Sequence, residues 1–179
     1  MAHYLFETNW ALTASPDAVF DVLAEPGEFA GWWPSVVESA LLAEGDETGV
    51  GRKASYVIRG PLPYTMRFEV RALEIDRPKR LHTVVRGDLV GTGTYLMEER
   101  GDVTHVRFNW YVATTKTWMN ALSFVAKPVF AWAHHRVMRE GCAAMADLLG
   151  ARLVSFDTDL VTRATPVVPA EQPSGGGYH

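Results

Sequence analysis

Residues 103–150, VTHVRFNWYVATTKTWMNALSFVAKPVFAWAHHRVMREGCAAMADLLG, carry the change of period on which the fold depends. In their first part Val106, Phe108, Trp110 and Val112 alternate with His105, Arg107, Asn109 and Tyr111. Side chains two residues apart share one face of a strand, so this segment reads as a strand with one apolar and one wet face. From Met119 onward the period lengthens. At about 100° per residue, Phe130, His134, Val137, Met138, Gly141, Met145 and Leu148 fall on one side of a helix, with Arg136, Arg139, Glu140, Ala143 and Asp147 opposite. A helix over 119–149 is predicted, stopped by Gly150, with its first turns broken off at Pro128 because proline has no amide donor.

Working back from this junction, six strands are predicted near 36–44, 52–60, 64–76, 80–87, 90–100 and 103–115, with no long helical pattern between them. In the third, Met66, Phe68, Val70 and Ala72 oppose Arg67, Glu69 and Arg71, whose charges suit a solvated outer face. Arg100-Gly101-Asp102 reads as a hairpin turn, and Gly60-Pro61-Leu62-Pro63 as a longer loop that overhangs a pocket. Gly49-Val50-Gly51-Arg52-Lys53 lacks the spacing and strand-to-helix context of a phosphate loop and reads as another turn. An earlier strand at 4–12 sets Tyr4, Phe6, Thr8, Trp10 and Leu12 on one face. Ser15, Pro16 and Asp17 then supply the cap, the first-turn ring and the dipole partner of a helix that stops at Pro26-Gly27. A second short helix carries Phe29, Trp32 and Trp33 as far as Pro34. After Phe156 the apolar rhythm fades into a Pro- and Gly-bearing end that cannot bury enough to order itself. The chain therefore divides into one domain over 1–156 and a flexible tail over 157–179. Its class is α+β: a seven-stranded antiparallel sheet around one long C-terminal helix, with two short helices after the first strand.

Several functions are excluded by composition. A net charge of −4, and the lack of any Lys/Arg run interleaved with exposed aromatics, argue against a nucleic-acid partner. The single Cys142 cannot make an internal disulfide and reads as a buried thiol. His134 and His135 are adjacent and point about 100° apart on a helix, so they cannot chelate together. No other His, Asp or Glu spacing makes a metal site, and there is no GxSxG nucleophile elbow. The first residues show neither the basic nor the apolar run of a secretion signal, and the most apolar stretch, 119–133, is shorter than the roughly 20 residues that span a bilayer. A cytoplasmic protein without metal, cofactor or integral membrane segment is expected.

Geometry then predicts a chamber. Seven strands about 4.8 Å apart make a sheet about 30 Å wide, whereas a helix with its side chains is roughly 10–12 Å across. One rod cannot pave that face, and the apolar volume left over is a ligand site by default. Trp33, Met66, Phe68, Trp110, Phe130 and Met138 are its candidate walls, with simple core packing as the competing reading for the aromatic ones. Gly91 and Gly93 share a face with Tyr95 and either leave room for a ligand or, the preferred reading, bend the strand. His134 lies inside the apolar arc of the helix. There an imidazole with a pKa near 6.5 either satisfies a buried partner or meets a ligand as acid or base.

The order strand, two short helices, six strands, long helix comes with residues similar to those of the SRPBCC superfamily, also called START-like or polyketide cyclase/dehydrase proteins. They are Ala14-Ser15-Pro16-Asp17-Ala18-Val19-Phe20, then Trp32-Trp33-Pro34, then Gly87-Asp88-Leu89 and Gly91-Thr92-Gly93 before Tyr95. Further on come Trp110, Lys116 to Met119, Trp132, His134, Val137-Met138 and Gly141. The similarity spans about residues 3–150. It implies the helix-grip fold and a central pocket for a small hydrophobic molecule of polyketide, lipid (fatty-acyl) or isoprenoid type. For cyclase members it also implies ring closure and dehydration of a poly-β-ketone, with His134 moving protons and Tyr56 or Tyr95 as hydroxyl donor. Two alternatives to plain binding stand beside this: an aromatase/cyclase or dehydratase, and a docking module whose 119–133 helix meets a membrane or protein while its own aromatics fill the interior. A homodimer is a further partner state compatible with the sequence.

Overall fold

The computed structural model describes residues 3–161, and for 119–126 the backbone alone. In chain order the elements are β1 (His3–Leu12), α1 (Pro16–Ala24), α2 (Phe29–Trp32), β2 (Val36–Ala43), β3 (Lys53–Arg59), β4 (Thr65–Asp76), β5 (Arg80–Gly87), β6 (Leu89–Arg100), β7 (Val103–Thr114), α3 (Thr117–Leu148) and β8 (Leu153–Leu160). The strands form one antiparallel sheet in the order β2-β3-β4-β5-β6-β7-β1-β8, and with the long α3 this is the helix-grip arrangement.

Local chemistry explains where the elements begin. The Ser15 hydroxyl accepts the Ala18 amide at 3.2 Å, Pro16 occupies the first turn of α1, and Asp17 sits where the helix dipole favours an anion. Proline does not break the long helix. α3 runs unbroken from Thr117 through Pro128, where the sequence predicted its first turns to separate. At the far end of α3 the predicted apolar arc holds for Met138, Gly141 and Met145, but Leu148 is 53 % exposed.

The sheet has eight strands where seven were predicted. β8 pairs with β1 from Phe6↔Leu160 to Leu12↔Leu153, so the ordered fold continues past the predicted boundary at 156. This edge strand is held by main-chain bonds to β1, by a 2.7 Å hydrogen bond between the Thr8 and Thr158 hydroxyls, and by the partly buried Leu153, Phe156 and Leu160, which pack against the core, Phe156 edge-on to His135 of α3. Between Phe156 and Leu160 stand Asp157, Thr158 and Asp159, so the hydrophobic rhythm by which a strand is read is too sparse here to show it. Residues 162–179, most of the predicted tail, lie outside the described residues.

The core forms where the inner sheet face meets the helices. Trp10, Phe68, Val85, Val106 and Phe108 pack with Val19, Phe20 and Leu23 of α1 and with Met138, Cys142 and Met145 of α3. A smaller cluster of Tyr4, Phe6, Val112 and Phe130 sits where β1 and β7 meet the earlier turns of α3. The chamber lies between and beside these two clusters. No helix among the described residues is long and apolar enough to cross a membrane.

Candidate functional site

A cavity of about 510 Å³ separates the inner sheet face from α3. Its walls are mainly apolar and come from β1, β3–β7, α1, the α2 region and α3. The interior is thus not packed solid by the protein's own aromatics. The candidate wall residues Trp33, Met66, Phe68, Trp110, Phe130 and Met138 all line it, together with the candidate polar residues Tyr56, Tyr95 and His134. Leu62 from the predicted overhanging loop lines it as well.

The walls hold each other in place. Trp33 donates its indole N–H to the Val137 carbonyl at 3.0 Å and lies against Gly141, whose lack of a side chain makes room for the ring. Phe68 contacts Tyr56 and Trp110 with ring centroids 5.7 and 5.9 Å apart, and Trp110 in turn contacts Phe108 at 5.3 Å. Gly93 pairs with Trp110 across β6 and β7, and a Cβ there would come within 2.8 Å of Trp110 Cζ3. The absent side chain is therefore replaced by an indole, which neither of the sequence readings of this glycine anticipated. Gly93→Ala is expected to push Trp110 into the chamber at a cost of about 2 kcal/mol, seen as a lower denaturation midpoint and a shifted tryptophan emission.

The polar groups in these walls are few and strongly perturbed. Burial raises the Tyr95 hydroxyl pKa above the ordinary range, with a smaller push from Cys142. Tyr56 is raised well above its ordinary value by burial and then by Tyr95. Both phenols are therefore neutral hydrogen-bond donors, not bases. The His134 imidazole stacks on Phe6 at 4.0 Å, and burial followed by the charge of His135 lowers its pKa to about 3. The value near 6.5 expected from sequence belongs to a solvated imidazole, whereas this one is neutral near pH 7.

Sequence reasoning missed two features of the chamber. Tyr4, recognised only as part of a strand rhythm, lines it and makes an edge-on contact with Phe130 at 5.8 Å. Tyr64 lines it as well, its hydroxyl pKa pushed up to about 12 by burial and then by Tyr4. The second feature is a charged rim by α1, to which Asp21, Glu25, Arg52 and Arg77 contribute. Arg52 donates to the Ala24 carbonyl at 2.7 Å and to Glu25 Oε1 at 3.0 Å, which ties the β2–β3 loop to α1. Arg77 pairs with Asp21 and lies 5.0 Å above the Phe20 ring. Partners so far apart in sequence leave no local signal. Cys142, expected to be a plain buried thiol, is buried and has its pKa raised by that burial.

Residues 6–150 match the model of a family described as polyketide cyclase / dehydrase and lipid transport. No curated protein matches the sequence. Among solved structures, a START superfamily protein from Mycobacterium smegmatis is similar with a TM-score of 0.67 at 10% identity, over 82% of this chain and 97% of that one. The Zhui aromatase/cyclase of Streptomyces sp. R1128 is similar with a TM-score of 0.67 at 14% identity, over 83% and 94% of the two chains. The di-domain aromatase/cyclase BexL of the BE-7585A biosynthetic pathway gives 0.66 at 14%, over 84% of this chain and 51% of that one. At such identities the likeness is one of fold.

Proposed function

The chain belongs to the polyketide cyclase/dehydrase and lipid transport family of the SRPBCC superfamily, and we propose that it binds a small, largely apolar molecule of polyketide, lipid or isoprenoid type in the chamber between sheet and α3. The observation that carries this reading is the cavity of about 510 Å³ lined by Phe68, Trp110, Trp33 and Met138. That volume lies within the roughly 300–1,000 Å³ of small-molecule sites. Its walls reward burial of apolar surface, and the neutral phenols and imidazole add a few oriented polar contacts.

The test is direct. Protein purified without detergent and then denatured is expected to release a small hydrophobic molecule in near-stoichiometric amount, detected by mass spectrometry. Ala133→Trp, which adds an indole at a position lining the cavity, should lower binding of a hydrophobic probe about tenfold, or about 1.4 kcal/mol, with an unchanged circular dichroism spectrum. If the wild-type protein releases nothing and takes up no apolar probe, the reading fails.

A second reading is favoured by the presence of Tyr56, Tyr95 and His134 around one chamber. In it the protein closes or dehydrates a poly-β-ketone; the Zhui protein, similar in fold, is named an aromatase/cyclase. The neutral phenols would polarise a carbonyl by hydrogen bonding, and the chamber would hold the chain in the bend that brings its carbons together. A His134→Leu variant with undiminished turnover of a candidate poly-β-ketone would remove the imidazole from that scheme.

A further inference from the structure

The chamber walls include two polar atoms that the fold leaves unsatisfied. The Tyr4 hydroxyl and His134 Nε2 are buried and have no hydrogen-bond partner among the described residues, although both residues line the cavity. Native folds rarely leave such groups alone, because each gave up water for nothing in return. These two belong to one place. Tyr4 and Phe6 are alternate residues on the same face of β1, while Phe130 and His134 stand one turn apart on α3. Tyr4 meets Phe130 edge-on at 5.8 Å and Phe6 stacks on His134 at 4.0 Å, so the phenol and the imidazole flank a single β1–α3 seam at the chamber wall.

We propose that this seam is a polar anchor for one uncharged hydroxyl group of the bound molecule, which accepts from one of the two protein groups and donates to the other. The proposal rests on the binding function argued above and adds to it the chemistry of the ligand and a residue, Tyr4, that recognises it. A hydroxyl fits because it is both donor and acceptor, as is the phenol, so it completes the pair whichever tautomer the imidazole adopts. A carboxylate fits poorly. Among the described residues the cationic side chains lining the cavity are Arg52 and Arg77, which sit at the α1 rim and are already paired with Glu25 and Asp21. An anion in the seam would be buried without a counter-charge. An alkane would leave both protein atoms as unsatisfied as they are now.

Equilibrium dialysis of the full chain at pH 7.5 against naphthalene, 2-naphthol and 2-naphthoate separates these cases, since the three share one apolar body. The wild type is expected to bind 2-naphthol about tenfold more tightly than naphthalene, and 2-naphthoate more weakly than both. Tyr4→Phe removes the hydroxyl alone and should reduce the ratio of naphthol to naphthalene affinity to about twofold. Its thermal midpoint should stay the same or rise, because the atom removed has no partner to lose. His134→Leu should reduce the same preference. Were Tyr4→Phe to keep the full preference, or 2-naphthoate to bind as tightly as 2-naphthol, the anchor would be overturned while the binding chamber stood. Were none of the three retained by the wild type, the binding function itself would fall and the anchor with it.

Discussion

Trp33→Ala is expected to destabilise the fold by about 3–5 kcal/mol and to lower the thermal midpoint by roughly 10 °C. The ring is 8 % exposed, donates to the Val137 carbonyl at 3.0 Å, and contacts Trp32 and Phe29 at centroid distances of 5.6 and 5.9 Å. Its removal opens a void beside the chamber and leaves a helix carbonyl without this donor, so transfer and cavity costs add. Gly141 probes the same contact from the helix side. Helix propensity alone makes Gly141→Ala stabilising by about 1 kcal/mol, yet a Cβ at this position would come within 2.6 Å of Trp33 Cζ2. The collision should win, giving a net loss of about 1–2 kcal/mol. In the Trp33→Ala background the obstacle is gone, and the same glycine substitution should become stabilising. Urea unfolding of the two single variants and the double variant measures this reversal of sign. A Gly141→Ala change that stabilises the wild-type protein would show that the indole yields easily, and the cost assigned to Trp33 would have to shrink with it.

The strands from β2 to β7 were legible because turn residues bound them, and in β4 and β7 a clean alternation of apolar and polar residues agrees with those turns, two signals pointing the same way. β8 was not, since its second half puts only Phe156 and Leu160 on the core, with Thr158 between them and exposed Asp157 and Asp159 on the other face, a pattern too sparse to read, and main-chain pairing to β1 supplies the rest. The course of α3 through Pro128 was hidden for the opposite reason: proline is a strong local signal, and the long helix overrides it. At the site, an inward position could be read from period alone, which is why Phe68, Trp110, Met138 and His134 all reach the chamber. What each inward residue meets could not be read that way. Gly93 is filled by an indole from the neighbouring strand, and Arg52 reaches an α1 carbonyl far back in the chain. The same gap concealed Tyr4, whose place in the strand rhythm was plain while its unpaired hydroxyl depends on α3.

Acid should weaken the fold through His134 before the carboxylates titrate. Buried against Phe6, the imidazole has its pKa lowered to about 3, first by burial and then by His135, against an ordinary value near 6.5. The unfolded chain therefore takes up a proton that the folded chain refuses. The sign follows: this contribution to stability is complete above about pH 6.5 and is lost progressively as pH falls toward 3, at about 1.4 kcal/mol per pH unit. Between pH 6.5 and 5 the loss should reach about 2 kcal/mol, and by pH 4 about 3 kcal/mol. Asp46 and Glu98, whose pKa values are held low by Thr48 and Arg100, act in the same direction, but in the lower, carboxylate range. Urea unfolding at several pH values, with His134→Leu beside the wild type, isolates the histidine: the variant should lose most of the slope between pH 6.5 and 5. An unchanged slope would mean that the imidazole is charged, or reached by water, in the folded protein. That outcome would also change the functional argument. A neutral imidazole can hold a hydroxyl or polarise a ketone but has no proton to deliver as imidazolium near pH 7, so the slope also measures how far His134 can act as an acid.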